Sequence, residues 1–175
     1  LIAGECDVAI CGGGRVSIMR ACAAIAPVHL GHFLPDYTAY EELLDVFRRF
    51  QPIPILLDPE SLYEFSAADL RRDVLRRGMG AFLGRTTSNP TGKLVHGDAL
   101  RAWVDTAREL DCALLMDEFY SHYVWVGDQP IVSAAEYVQD VNRDPIVVFD
   151  GLTKNWRYPG FRTTWVLGPK TFIES

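Results

Sequence analysis

The chain has 175 residues, 49% of them hydrophobic and 23% charged, a balance that belongs to a globular domain and excludes a disordered or fibrous chain. A domain of this length buries roughly two thirds of the surface its unfolded chain exposes, which leaves no room for a second full domain. The formal net charge of -6 argues against a protein that coats nucleic acid or an anionic membrane, because both roles need a basic face.

Asp7–Cys11 reads as a short buried strand running into Gly12, Gly13 and Gly14, and an apolar helical stretch follows from Ser17 to about Ala26. Val28–Leu34 is extended up to Pro35, and Leu43, Leu44, Val46 and Phe47 give Thr38–Phe50 a helical spacing. Ile53–Leu57 is the next strand. Ser66 with Asp69 three residues on resembles a capping pair, and Leu70, Val74 and Leu75 predict one apolar face for a helix that ends at Gly78. The arginines of that helix, Arg71, Arg72, Arg76 and Arg77, interleave with Asp69 and Asp73, which predicts a solvated, ion-paired face rather than a basic patch. Met79–Gly84 is another strand, and Ser88-Asn89-Pro90-Thr91-Gly92 is a turn. Asp98 is placed to cap a helix running to about Leu110, and Ala113–Met116 forms an apolar strand closed by Asp117. A short helix at Ala134–Val138 and strands at Ile146–Phe149 and Thr164–Leu167 complete the chain. Alternating helices and near-continuous apolar strands predict an α/β domain with a mostly parallel central sheet. In such sheets ligands sit beyond the carboxyl ends of the strands, where four polar loops fall: Gly12–Arg15, Ser88–Gly92, Asp117–Tyr120 and Asp150–Lys154.

No apolar run reaches the roughly 20 residues of a membrane span, and Leu1–Cys11 carries Glu5 and Asp7 in place of a basic leader. The expectation is a cytoplasmic protein. Cys6, Cys11, Cys22 and Cys112 form no CxxC pair, so buried free thiols are expected rather than disulfides or zinc. Asp117, Glu118 and His122 lack metal-ligand spacing, and no metal is expected. His29, His32 and His96 are read as packing or surface residues. The three glycines after a strand invite a dinucleotide reading with Asp36 on the ribose, but Ser17 stands where the last glycine of that fingerprint belongs, and Asp36 follows Pro35 in a turn.

Two residues carry the chemistry. Lysine is scarce, at three against fourteen arginines, and Lys154 follows an apolar strand, where flanking apolar groups lower an amine's pKa and free it to attack a carbonyl. Asp117 ends another apolar strand, where a carboxylate is costly unless something cationic faces it. The protonated ring nitrogen of pyridoxal phosphate satisfies Asp117, and the aldehyde of the same cofactor engages Lys154 as an aldimine. Lys154, once displaced by an amino substrate, then serves as general base and acid. Arg162 and the glycine turn at a helix start suit the phosphate.

These residues resemble the fold type I pyridoxal-phosphate enzymes, specifically the class I/II aminotransferases, over nearly the whole chain. Asn89-Pro90-Thr91-Gly92 is similar to the family's NPTG loop, and Asp117-Glu118-Phe119-Tyr120 to its aspartate with a tyrosine three residues on. Thr153-Lys154 with Gly160 and Arg162 is similar to the lysine signature, and Pro35-Asp36-Tyr37 to the segment whose ring stacks on the cofactor. The resemblance implies a three-layer sandwich in which Lys154 forms the aldimine, Asp117 meets the ring nitrogen, Asn89 and Tyr120 hold the ring oxygen, and Tyr37 stacks. Gly13, Gly14, Arg15, Thr153 and Arg162 would then bind the phosphate. Gly151 departs from the family where many members have a phosphate-binding serine, and Thr164 where the signature usually has glycine.

The resemblance further implies residues 1–175 as the cofactor-binding large domain, without the family's N-terminal segment and C-terminal small domain, and a homodimer acting on an amino acid and a 2-oxo acid. Two other readings stand beside transamination. The runs Leu30–Tyr37 and Glu118–Tyr123 are similar to the capreomycidine synthase-like branch, which implies β-elimination or cyclisation of a modified amino acid. The third is a sensor domain of the same fold that binds cofactor or amino acid without turnover.

Overall fold

The computed structural model describes residues 7–25, 27–46 and 51–175. In chain order they form β1 (Asp7–Cys11), α1 (Gly14–Ala24), β2 (His29–Leu34), α2 (Ala39–Asp45), β3 (Gln51–Leu56), α3 (Ala67–Arg77) and β4 (Met79–Arg85). Then come α4 (Gly97–Leu110), β5 (Ala113–Asp117), β6 (Ile146–Gly151), β7 (Thr164–Gly168) and α5 (Lys170–Ile173), with single 3-10 turns at Pro59–Ser61, Ala134–Tyr137 and Pro159–Phe161.

The seven strands lie in one sheet in the order β1-β7-β6-β5-β4-β2-β3. β2, β3, β4, β5 and β6 pair in parallel. β7 runs against both its neighbours, so β1 points the same way as the parallel strands. The carboxyl ends of β1, β2, β3, β4, β5 and β6 therefore lie along one edge. Side chains alternate across the sheet with the strand period of two. Phe82, Leu114, Met116, Ile146 and Val148 pack under α3 and α4, while Ala81, Leu83, Leu115, Val147 and Phe149 pack under α1 and α2. Both faces are covered, which is why the strands read as continuous apolar runs. The result is the three-layer α/β sandwich, mostly parallel, that the sequence implies.

Several elements differ in detail from expectation. α1 starts three residues before Ser17, at Gly14, because the glycine turn itself enters the helix. α2 ends at Asp45 with Val46 65% exposed; Phe47 and the rest of the expected helix lie outside the described residues. On α3 the buried positions are Leu70, Asp73 and Val74. A 3.6-residue period excludes Leu75 from that face, and Leu75 is 65% exposed. The capping box of Ser66 and Asp69 forms with both reciprocal bonds, and Gly78 ends α3 in the left-handed conformation. Its arginines face solvent and pair with acids, Arg71 with Glu109, Arg72 with Asp69 and Arg77 with Asp73. Asp98 does not cap α4, whose N-cap is His96 with no side-chain bond. Asp98 stands in the first turn, where its charge opposes the helix dipole from solvent. The helix expected at Ala134–Val138 is a 3-10 turn. Cys11, Cys22 and Cys112 are buried free thiols, and Cys6 lies outside the described residues. Among the described residues no helix is long and apolar enough to cross a membrane.

Candidate active site

A cavity of about 260 Å³ opens at the carboxyl edge of the sheet. The loops picked out in the sequence converge on it. Gly14 and Arg15 enter from the start of α1, Tyr37 from the β2–α2 connection, and Asn89 from the turn after β4. Asp117 and Tyr120 come from the end of β5, Thr153 and Lys154 from the loop after β6, and Arg162 from the approach to β7. Gly13 does not line the cavity but backs one of its walls.

That wall has the character of an anion cradle. Gly13 has φ 113°, and a Cβ there would stand 2.2 Å from the Arg162 guanidinium; a Cβ on Gly14 would meet the Phe119 ring at 2.8 Å. Side chains are therefore excluded, and the first-turn N–H groups of the eleven-residue α1 carry no side-chain cap. A guanidinium held over open helix N–H groups places two positive features together. An anion such as a phosphate ester fits between them.

The departures at positions 151 and 164 are coupled. Gly151 and Thr164 face each other in the antiparallel β6–β7 register. A Cβ on Gly151 would lie 2.7 Å from the Thr164 methyl and 2.7 Å from the Thr163 carbonyl oxygen. The Thr164 methyl and the neighbouring backbone together leave no room for a side chain at 151. The Thr164 hydroxyl donates to the Cys11 carbonyl at 3.1 Å and ties β7 to β1, so Thr153 is the hydroxyl residue of this loop that lines the cavity.

At the opposite end Asp117 is buried and does meet a cation, but one supplied by the protein. Arg85 Nη2 lies 3.0 Å from Asp117 Oδ2, and the Tyr40 hydroxyl donates to the same oxygen. The Phe119 N–H donates to Oδ1 at 3.2 Å. Arg85 also reaches the Asn89 carbonyl at 3.3 Å, and its Nε lies 3.2 Å from Asp36 Oδ1 without the alignment of a hydrogen bond. Its guanidinium carbon sits 4.4 Å from the Tyr40 ring centroid. Burial lowers the pKa of Arg85, but Asp117, Tyr40 and Asp36 together outweigh it and hold the guanidinium firmly charged. Burial raises Asp36 to about 6 against the pull of Arg85 and, with the Asp117 charge, holds the Tyr40 phenol well above its ordinary value. Two carboxylates face one guanidinium, so the cluster can accept one further positive charge. A pyridinium nitrogen has that charge, and the residues present fit pyridoxal phosphate at both ends.

Arg85, Tyr40, Ile18 and Phe119 line the cavity without having been singled out in the sequence. A charged residue closing the apolar run Met79–Gly84 was the available signal for Arg85; Tyr40 looks like any core aromatic of an amphipathic helix. Lys154 differs from expectation in the other direction. It is exposed at the lip of the cavity, with Nζ 5.6 Å from the Tyr120 ring centroid, rather than enclosed by apolar groups. Its loop is fixed by Asn155, whose amide donates to the Glu118 carbonyl at 3.2 Å, Ser121 Oγ at 3.0 Å and Asp150 Oδ1 at 2.9 Å. Asn155 thereby welds the β5 loop to the β6 loop. Arg15 is held by the Tyr37 hydroxyl at 2.8 Å.

The sequence profile described as aminotransferase class I and II matches residues 13–175. An aspartate aminotransferase of Streptomyces avermitilis is 28% identical over 171 residues, covering 97% of this chain and 41% of the relative. The S-alkyl-thiohydroximate lyase SUR1 of Arabidopsis thaliana is 32% identical over 79 residues, covering 45% of this chain and 16% of the relative. The crystal structure of Thermus thermophilus aspartate aminotransferase with maleate superposes with a TM-score of 0.82 at 21% identity, over 95% of this chain and 42% of that one. The chain thus spans less than half the length of these proteins.

Proposed function

Because the chain belongs to the class I and II aminotransferase family, we propose that it is the cofactor-binding large domain of a pyridoxal-phosphate enzyme that moves an amino group between an amino acid and a 2-oxo acid. One observation carries the reading: a single cavity has Lys154 at its lip, Asp117 in its floor, and Arg162 over the start of α1 in its wall. Bound there, pyridoxal phosphate supplies an aldehyde and a ring that draws electrons from the α-carbon of an amino substrate. Arg162, the N–H groups of α1 and the Thr153 hydroxyl hold the phosphate, with Gly13 and Gly14 leaving the space and Arg15 flanking it. Tyr37 is assigned to the ring face, and the Asn89 amide and the Tyr120 hydroxyl to the ring oxygen. Asp117 accepts the hydrogen bond of the ring nitrogen. Lys154 Nζ is the amine that would hold the aldehyde carbon and, when free of it, would take up a proton as base and give it back as acid. A homodimer and a cytoplasmic location complete the proposal.

Borohydride reduction of protein incubated with pyridoxal phosphate should fix the cofactor on Lys154, read by peptide mass. Lys154→Ala should abolish the adduct, and its persistence on another residue would overturn the assignment. The lyase relative supports a second reading, elimination or cyclisation in the manner of the capreomycidine synthase-like branch. Loss of a β-substituent without consumption of a 2-oxo acid acceptor would favour it.

A further inference from the structure

We propose that Arg85 is a positioning residue for Asp117: buried in the cavity floor, its guanidinium fixes the carboxylate and shares its negative charge, so that a pyridine nitrogen seated there holds its proton less firmly than against a carboxylate bonded to neutral donors alone. The inference rests on the assignment of Asp117 to the ring nitrogen of pyridoxal phosphate.

Arg85 and Asp117 are partners in the β4–β5 register, so both side chains leave the sheet side by side at its carboxyl edge. Arg85 is 4% exposed, and the pair stands 3.0 Å apart away from solvent, where screening is weak. Asp117 Oδ2 already accepts the Tyr40 hydroxyl and lies against the guanidinium. Oδ1, with the Phe119 N–H alone, is the oxygen left for the ring. A proton on a ring nitrogen seated against Asp117 also feels the buried guanidinium beside that carboxylate, so it gains less than it would from the carboxylate alone.

The other charged groups around Asp117 do not cancel this. Asp36, from the β2–α2 connection, lies against Arg85 Nε and has Oδ2 buried without a partner; it draws on the same guanidinium. Glu118, the residue after β5, is kept protonated by burial to about pH 8, and Asp150 at the end of β6 is raised by burial to about 6. Lys154 and Arg15 line the cavity wall. Asp36 is therefore the group that decides how much of the Arg85 charge reaches Asp117. Replacing Asp36 and replacing Arg85 should act in opposite directions, which a merely structural role for either residue does not predict.

The test is the NMR shift of an isotope-labelled ring nitrogen in pyridoxal phosphate bound to the 175-residue chain, followed through a pH titration. In the wild type the ring nitrogen should titrate within the neutral range. Arg85→Gln should raise its midpoint by about one pH unit or more, and Asp36→Asn should lower it by a comparable amount, the ordinary scale for one close charge. Asp36→Asn is isosteric and leaves the Arg85–Asp117–Tyr40 contacts in place, so it decides the matter if Arg85→Gln does not fold. A wild-type nitrogen that stays fully protonated throughout, or variants that shift the midpoint together or not at all, overturns the inference. Failure of the wild type to take up cofactor on Lys154 overturns the functional proposal instead.

Discussion

Glu118 shows what a single buried group does to this protein. It sits beside Asp117 but serves the scaffold, accepting the Ala134 N–H at 2.7 Å. Burial raises its pKa from 4.5 to about 8. Between those values the folded chain keeps a proton that the unfolded chain releases, so stability falls as pH rises through that window, at up to ~1.4 kcal/mol per pH unit. Asp36 and Asp150 act in the same sense over a shorter window, up to about 6. Glu118→Gln keeps the acceptor and removes the titration. Thermal melts of the variant should depend less on pH between about 5 and 8 than those of the wild type, and an unchanged slope would count against a neutral Glu118. The end of the apolar strand and the motif single out Asp117 in the sequence, but only the third dimension shows that Glu118 turns to the Ala134 N–H.

Among the elements, β6 and β7 carry a compensated pair. Gly151 without a side chain and Thr164 with one occupy facing positions, and the volume has moved from one strand to the other. Gly151→Ser should destabilise by about 1–3 kcal/mol, the usual cost of overpacking, and Thr164→Gly alone should cost stability by loosening β7 from Cys11. Combined, they should cost less than the sum of the single changes, as denaturant melts in a double-mutant cycle would show. Additive costs would mean that the two positions are not coupled. The elements themselves were legible where local rules suffice. The capping box at Ser66, the glycine stop at Gly78 and the apolar run of β5 all appear as predicted, since each depends on neighbours in sequence. Leu75 lies off the buried face of α3 and Asp98 inside the first turn of α4 rather than at its cap, because burial and helix starts depend on what the helix packs against.

For the whole molecule, the sheet direction is the deciding feature. Six carboxyl ends lie along one edge, so residues as far apart as Gly14 and Arg162 share one cavity. A ligand that bridges these loops should stabilise the fold as a unit. At a pyridoxal phosphate concentration about 100-fold over its Kd, linkage gives about 2.7 kcal/mol, or a rise in melting temperature of about 5–10 °C for a chain of this size. Differential scanning fluorimetry measures it, and inorganic phosphate at the same concentration should give less. No rise at saturation would contradict a cofactor held at both ends of the cavity.

The sequence alone determined the order of strands and helices, the four loops at the strand ends, the residues Asn89, Asp117, Tyr120 and Lys154 that stand in them, and Arg162 ahead of the last strand, because periodicity and loop chemistry are local properties. The tertiary structure decided what those residues face. Asp117 meets Arg85 and Tyr40, Lys154 stands in solvent at the cavity lip, and Gly151 answers Thr164, since each pairing joins chain segments that only strand register and helix packing bring together.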